Sequence, residues 1–356
     1  MHIDPHVHCR DEEWSYKETI KHSLEVARDS GVDAVFDMPN LPNPVFNRDR
    51  ALKRLKIAKD ANVPEVFYGT FIGLTSDREQ VKQAVSAYRE LFPYVVGMKL
   101  FAGHSTGNLG VVRFENQAVV YETLAQEEYD GVVFVHAEKE SEMNENAKVK
   151  FNYLYPISHC VARPKRAELE SIKDQIALAR KYNFSGKLHI AHISHPDSVD
   201  LVVEERNKGL DISCGVCPHH LIFDWTMMNE GNGLLYKMNP PLREVGASNK
   251  MIEYLREGKI NCIETDHAPH TLDDKTKGDE KSGFASGIPG LHWWNLAQEY
   301  LRQQNFSDKR IEETGFDFIA GRFGIDIKKK NIPRRNRGED YDFDPYKNLE
   351  RMIFKI

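Results

Sequence analysis

The sequence predicts an α/β protein of the (β/α)8 barrel type, and three observations carry that prediction. Short apolar, β-branched runs occur eight times, at 3–8, 34–38, 66–72, 95–101, 131–136, 187–193, 210–216 and 260–266. Amphipathic stretches of helical period lie between them, at 16–30, 49–61, 78–91, 165–182, 196–208 and 249–257, several closed by Gly or Asn. The chain has 356 residues, room for one barrel of about 250 residues with additions. Strands that alternate with helices need crossover connections, which give a parallel sheet. Eight such strands suit a closed barrel, and an open doubly wound sheet fits the same alternation.

Taken in order, IDPHVH at 3–8 begins so early that no N-terminal domain is expected before it. AVFDM, VFYGTFI and VVGMKLF supply the second to fourth strands, and GVVFVH, KLHIAHI, LDISCGV and INCIETD the fifth to eighth. A loop rich in Lys, Asp, Gly and Ser follows at 271–283, then helical stretches at 291–304 and 309–323. The expected organisation is therefore a barrel over 1–323 and a short C-terminal appendage over 324–356. No internal repeat or low-complexity tract interrupts it.

Composition narrows the class. With 48 Lys+Arg, 54 Asp+Glu and 40% hydrophobic residues, the chain is that of an ordinary globular protein with a net charge of −6. Broad nucleic-acid binding would require a basic face, and the one basic stretch, 328–337, is followed at once by acidic residues and reads as a solvated tail. The absence of a long apolar run or a leader-like start points to the cytosol. Five cysteines, Cys9, Cys160, Cys214, Cys217 and Cys262, are an odd set expected to be reduced. Cys214 and Cys217 have metal or redox spacing but no second such pair, so they read as buried strand and loop residues.

In a barrel of this kind chemistry gathers at the C-terminal ends of the strands. His6 and His8 end the first run, on one face of an extended chain; His136 ends the fifth, His192 the sixth and Asp266 the eighth. His-x-His alone is a weak motif, but four imidazoles and a carboxylate on one rim suit a borderline-soft divalent metal, most often zinc. His189, three residues before His192, is expected on the opposite strand face and in the core, with His195 in a loop. Lys99, inside VVGMKLF, is either a snorkelling residue or a buried amine with a depressed pKa.

DPHVHCR at 4–10, DMPN at 37–40, GMKLFAGHSTGNLGV at 97–111, VHAE at 135–138, RPKRAE at 163–168, HIAHIS at 189–194, CPHHL at 217–221, NPPLR at 239–243 and DHAPH at 266–270 stand in this order along the chain. Together they resemble the signatures of dihydroorotase, of the amidohydrolase superfamily, from about residue 3 to residue 290. The resemblance implies a metal-dependent hydrolase barrel with two zinc ions, His6, His8 and Asp266 on one, His136 and His192 on the other, and Lys99 bridging both as a carbamate. It implies that Asp266 shuttles the proton, that Arg10, Asn40 and His270 grip a substrate carboxylate, and that Asn239 and the Pro218-His219-His220 segment line the pocket. An arginine suits that grip because its planar fork matches a carboxylate.

The activity implied is the reversible cyclisation of N-carbamoyl-L-aspartate to L-dihydroorotate in pyrimidine biosynthesis. Two other readings share these features: a hydantoinase or allantoinase, and a non-catalytic homologue that partners a carbamoyltransferase. A homodimer and a carbamoyltransferase partner are the associations the resemblance suggests. Two departures stand out. Many relatives carry a flanking β-sandwich whose N-terminal half is not expected here, and many read Pro-Gly-Leu-Glu where this chain has Pro289-Gly290-Leu291-His292.

Overall fold

β1 (His2–Val7), β2 (Val32–Asp37), β4 (Val95–Phe101), β5 (Val132–His136), β7 (Ile212–Val216) and β8 (Cys262–Ile263) are buried throughout. β3 (Phe67–Gly73) and β6 (Lys187–Ile190) emerge only at their first residue. Strands covered on both faces have no wet side, which is why they read as near-continuous apolar runs. The structure is a computed structural model that describes residues 2–104, 109–145, 151–229, 231–278, 284–328, 330 and 334–354. Parts of three segments singled out above, 105–108, 279–283 and 329 with 331–333, lie outside the described residues.

Each strand pairs in parallel with the next, in the order β1 to β8. The ring is completed past the end of β8, where Val7 bridges His267 and the His8 N–H donates to the His267 carbonyl at 2.8 Å. The barrel predicted from the alternation is the fold observed. Inside it Phe36, Phe71 and Phe134 form an aromatic core that Phe323 enters from the helix Phe318–Phe323. Gly97 lets β4 and β5 approach, since a Cβ there would meet the Val132 carbonyl oxygen at 2.7 Å.

The helices Ile20–Asp29, Arg48–Asp60, Arg78–Leu91, Lys165–Lys181, Pro196–Asn207 and Ala247–Arg256 fall where the periodicity placed them. Thr19, Asn47 and Asp77 cap the first three by accepting a main-chain N–H of the first turn. A further helix, Phe114–Gln126, joins β4 to β5. Its buried face carries Gln117 and Thr123, which blur an apolar stripe; the Gln117 amide donates to the carbonyls of Ala102 and Val111.

Residues 334–354 lie against the barrel. Arg337 pairs with Asp29 at 2.8 Å, Asp340 with His22 at 3.0 Å and Asp344 with His292 at 2.9 Å, while Tyr346 is buried against Phe223. The described part of the basic stretch is thus not simply a solvated face: Lys330 also donates to the carbonyls of Pro64 and Glu65. His292, at the position that departs from the family pattern, is the residue that receives Asp344. All five cysteines are free and buried, and no helix among the described residues is long and apolar enough to cross a membrane.

Candidate active site

The C-terminal rim is built partly by strand residues, His6, Lys99 and His136, and partly by residues just past the strand ends, His8, His192 and Asp266. β1 delivers His6 and then His8, whose Nε2 atoms lie 3.2 and 3.0 Å from Oδ1 of Asp266. β5 ends on His136, whose Nδ1 is 2.9 Å from Nε2 of His192. His192 and Asp266 both follow their strands in the left-handed region, at φ 38 and 48, and Arg10 beyond β1 has φ 50. For non-glycine residues this costs about 1–3 kcal/mol each, a strain that surrounding contacts sustain at functional sites. It turns the side chains inward where continued strands would have alternated.

Donor atoms of His6, His192 and Asp266 lie within 4.8 Å of one another. Burial holds His6, His8 and His192 well below the usual histidine range, so they present neutral, ligating nitrogens. Lys99 is fully buried between the rings of Phe134 and Phe101, its Nζ 4.7 and 5.1 Å from their centroids. Nζ has no hydrogen-bond partner, and burial lowers it to about 8. Of the two readings of Lys99, the buried amine holds. Neutral imidazoles, a carboxylate and an unpartnered amine around one space are a donor set that fits divalent metal binding.

Two carboxylates that the sequence reading passed over support these donors. Glu264 is fully buried and pushed up to about 8 by that burial; its oxygens lie 3.4 Å from Nδ1 of His6 and 3.1 Å from Nε2 of His189. The signal was present in the sequence, for the spacing that pairs His6 with His8 also pairs Glu264 with Asp266. Glu138 lies 3.1 Å from Nε2 of His136, without hydrogen-bond alignment, and is held by Arg163 at 2.5 Å. Such outer partners fix the orientation of ligating imidazoles.

His189 is buried, as expected, but not on the opposite face. It stacks on Phe134 inside the barrel, with ring centroids 4.6 Å apart, and shares Glu264 with the main-chain N–H of His192. Strand alternation stops at Ile190, so a face count from His189 to His192 does not apply.

A narrow pocket opens onto this centre, lined by His6, His8, Arg10, Asn40, Lys99, His136, His192, Asn239 and Asp266, with Phe101, Ala268, Ser286 and Gly287. Arg10 is buried over Trp14, with Nε and Nη1 lacking any hydrogen-bond partner and Nη2 3.2 Å from Nε2 of His270. His270 stands behind Arg10 rather than in the pocket wall. Lys17 donates to its Nδ1 at 3.2 Å, its Nε2 faces the Ser286 carbonyl, and burial lowers it to about 3, so it is neutral. Asn239 precedes a cis proline, and its Oδ1 accepts from His159 at 3.0 Å. Pro218, His219 and His220 are not among the residues that line the pocket; Pro218 opens the helical turn that holds both imidazoles.

No protein-family model matches the chain. A dihydroorotase of Fusobacterium nucleatum is 32% identical over 332 residues, which cover 92% of this chain and 73% of the relative. The chain belongs to the dihydroorotase family. A dihydroorotase of Lactobacillus gasseri agrees with this at 30% identity, covering 99% of this chain and 77% of its own length. Among solved structures, the L-hydantoinase (dihydropyrimidinase) of Arthrobacter aurescens superposes with a TM-score of 0.80 over 93% of this chain and 72% of its own, at 23% identity. That likeness places the dihydroorotase-family chain in the same barrel fold.

Proposed function

We infer that this chain catalyses the reversible cyclisation of N-carbamoyl-L-aspartate to L-dihydroorotate. Family membership supports the reaction, and one observation carries its assignment to this pocket: Arg10, with two buried and unpartnered donor nitrogens, stands beside a His, Lys and Asp donor set in one cleft. The substrate and product share a carboxylate, and a guanidinium fork is suited to receive it. In this reading Arg10 and Asn40 grip the carboxylate and His270 backs Arg10.

His6, His8 and Asp266 would hold one zinc ion, and His136 and His192 a second. Lys99, if its buried amine adds carbon dioxide with loss of one proton, would supply a carbamate oxygen donor to the same site, and the metal charge would stabilise that anion. Such a metal pair acidifies water and polarises a carbonyl at neutral pH. Asp266, pushed up to about 6 by burial, takes a proton from the attacking water and returns it to the departing amide nitrogen. In the closing direction the same carboxylate takes the proton from the attacking nitrogen and gives it to the departing oxygen.

Carbamoyl aspartate carries two carboxylates and dihydroorotate one, so ring closure consumes a proton. Metal-replete chain incubated with carbamoyl aspartate is expected to form dihydroorotate, with the equilibrium moving toward the ring as pH falls. Absence of turnover in both directions at full metal content would overturn the reading.

A further inference from the structure

Beyond the pocket, a second donor set stands at the end of β7. Cys217 follows the strand, Pro218 opens the turn Pro218–Ile222, and that turn brings His219 and His220 back beside the thiol. One donor atom from each of the three lies within 4.8 Å of the other two, and all three side chains are buried. The two rings meet at a centroid distance of 4.4 Å. Nδ1 of His219 and Nδ1 of His220 both sit in the interior with no hydrogen-bond partner.

The tautomer of His220 follows from its surroundings. Its Nε2 is 3.2 Å from the Pro240 carbonyl, which only accepts, so Nε2 carries the proton and Nδ1 presents a bare lone pair. A buried lone pair with nothing to accept is costly, and such a group in a native interior calls for an explanation. Donation of one ring N–H to a main-chain carbonyl, with the other nitrogen left bare, is the arrangement of metal-bound histidines. A thiol and a second imidazole, whose Nδ1 also lacks a partner, stand at the same place.

We propose that Cys217, His219 and His220 form a binding site for a zinc-type, borderline-soft divalent cation, distinct from the donor set of the pocket. One sulfur and two nitrogen donors leave one position of a tetrahedral ion for a further ligand. Binding exchanges the Cys217 thiol proton for the cation and releases that proton to solvent, with no change of oxidation state. Through the His220 to Pro240 hydrogen bond, the ion ties the end of β7 to the segment that carries Asn239 into the pocket wall.

Cobalt(II) titrated into the full chain after chelation tests the site. The donors assigned to the pocket contain no sulfur, so a thiolate-to-cobalt charge-transfer band in the near ultraviolet reports a cysteine site alone. The band is expected to rise to about one equivalent per chain, to persist in Lys99→Ala and to vanish in Cys217→Ser, a near-isosteric change whose fold is checked by circular dichroism. No band in the wild-type chain at cobalt saturation overturns the proposal. A band that survives in folded Cys217→Ser overturns it too, since another cysteine would then be the ligand. Should Cys217→Ser fail to fold, Cys217→Ala and the wild-type spectrum decide.

Discussion

Replacing Arg10 separates substrate recognition from metal chemistry. In the structure Nε and Nη1 of Arg10 are buried without partners, and Nη2 alone faces His270. A carboxylate that takes both free donors gains two charge-assisted hydrogen bonds, each worth about 1.5–3 kcal/mol. Arg10→Met loses both; at the lower bound this is about 3 kcal/mol, a fall of roughly 150-fold in kcat/KM for dihydroorotate. Arg10→Lys keeps the charge but not the fork, and retention of one bond predicts a loss of about tenfold. Hydantoin has no carboxylate, so any turnover of it should change by less than about threefold. Steady-state kinetics on both compounds, with metal content measured on the same preparations, give the comparison. Equal losses on dihydroorotate and hydantoin would refute the reasoning and make Arg10 a support of the metal site.

Lys99→Ala should leave the barrel folded but lower both metal content and turnover, because the bridging charge is removed; full binuclear occupancy in that variant would contradict the carbamate. Glu264→Gln should weaken metal affinity by about 10- to 100-fold in a chelator competition, since it orients His6 from outside the donor set. Unchanged affinity would show that its neighbours alone hold His6. His22, hydrogen-bonded to Glu18, is raised to about 9, above its unfolded value of about 6.5. Its stabilisation is therefore complete below about pH 6.5 and is lost as pH rises through about 9, on the order of 1–2 kcal/mol after solvent screening. The thermal midpoint should fall across that window in the wild-type chain and fall less in His22→Gln.

Much of this was legible in the sequence where one physical rule acted alone. Strand Val95–Phe101 and helix Arg78–Leu91 have the bounds their patterns predict, because burial on both faces and a clean amphipathic stripe leave little else to read. The rule weakened where chemistry intervened. β6 and β8 stop at Ile190 and Ile263, short of the expected 193 and 266, because His192 and Asp266 adopt left-handed backbone that a strand pattern does not encode. For the same reason His189 was assigned to the wrong face. Glu264 shares with Asp266 the spacing of His6 and His8, but its role shows only in its position behind His6. Helix Phe114–Gln126 was obscured by polar side chains that bond to loop carbonyls rather than to water. The packing of residues 334–354 rests on ion pairs with side chains about 50 to 320 positions away, as between Asp340 and His22, which no local pattern reports.

The most direct measurement is the ratio of kcat/KM for dihydroorotate to that for hydantoin and for allantoin, taken on one metal-replete preparation of the full chain. Two charge-assisted hydrogen bonds to the substrate carboxylate predict a preference for dihydroorotate of at least about 100-fold over either neutral ring. A preparation with full metal content that turns over hydantoin or allantoin as well as dihydroorotate, or better, would contradict the assignment.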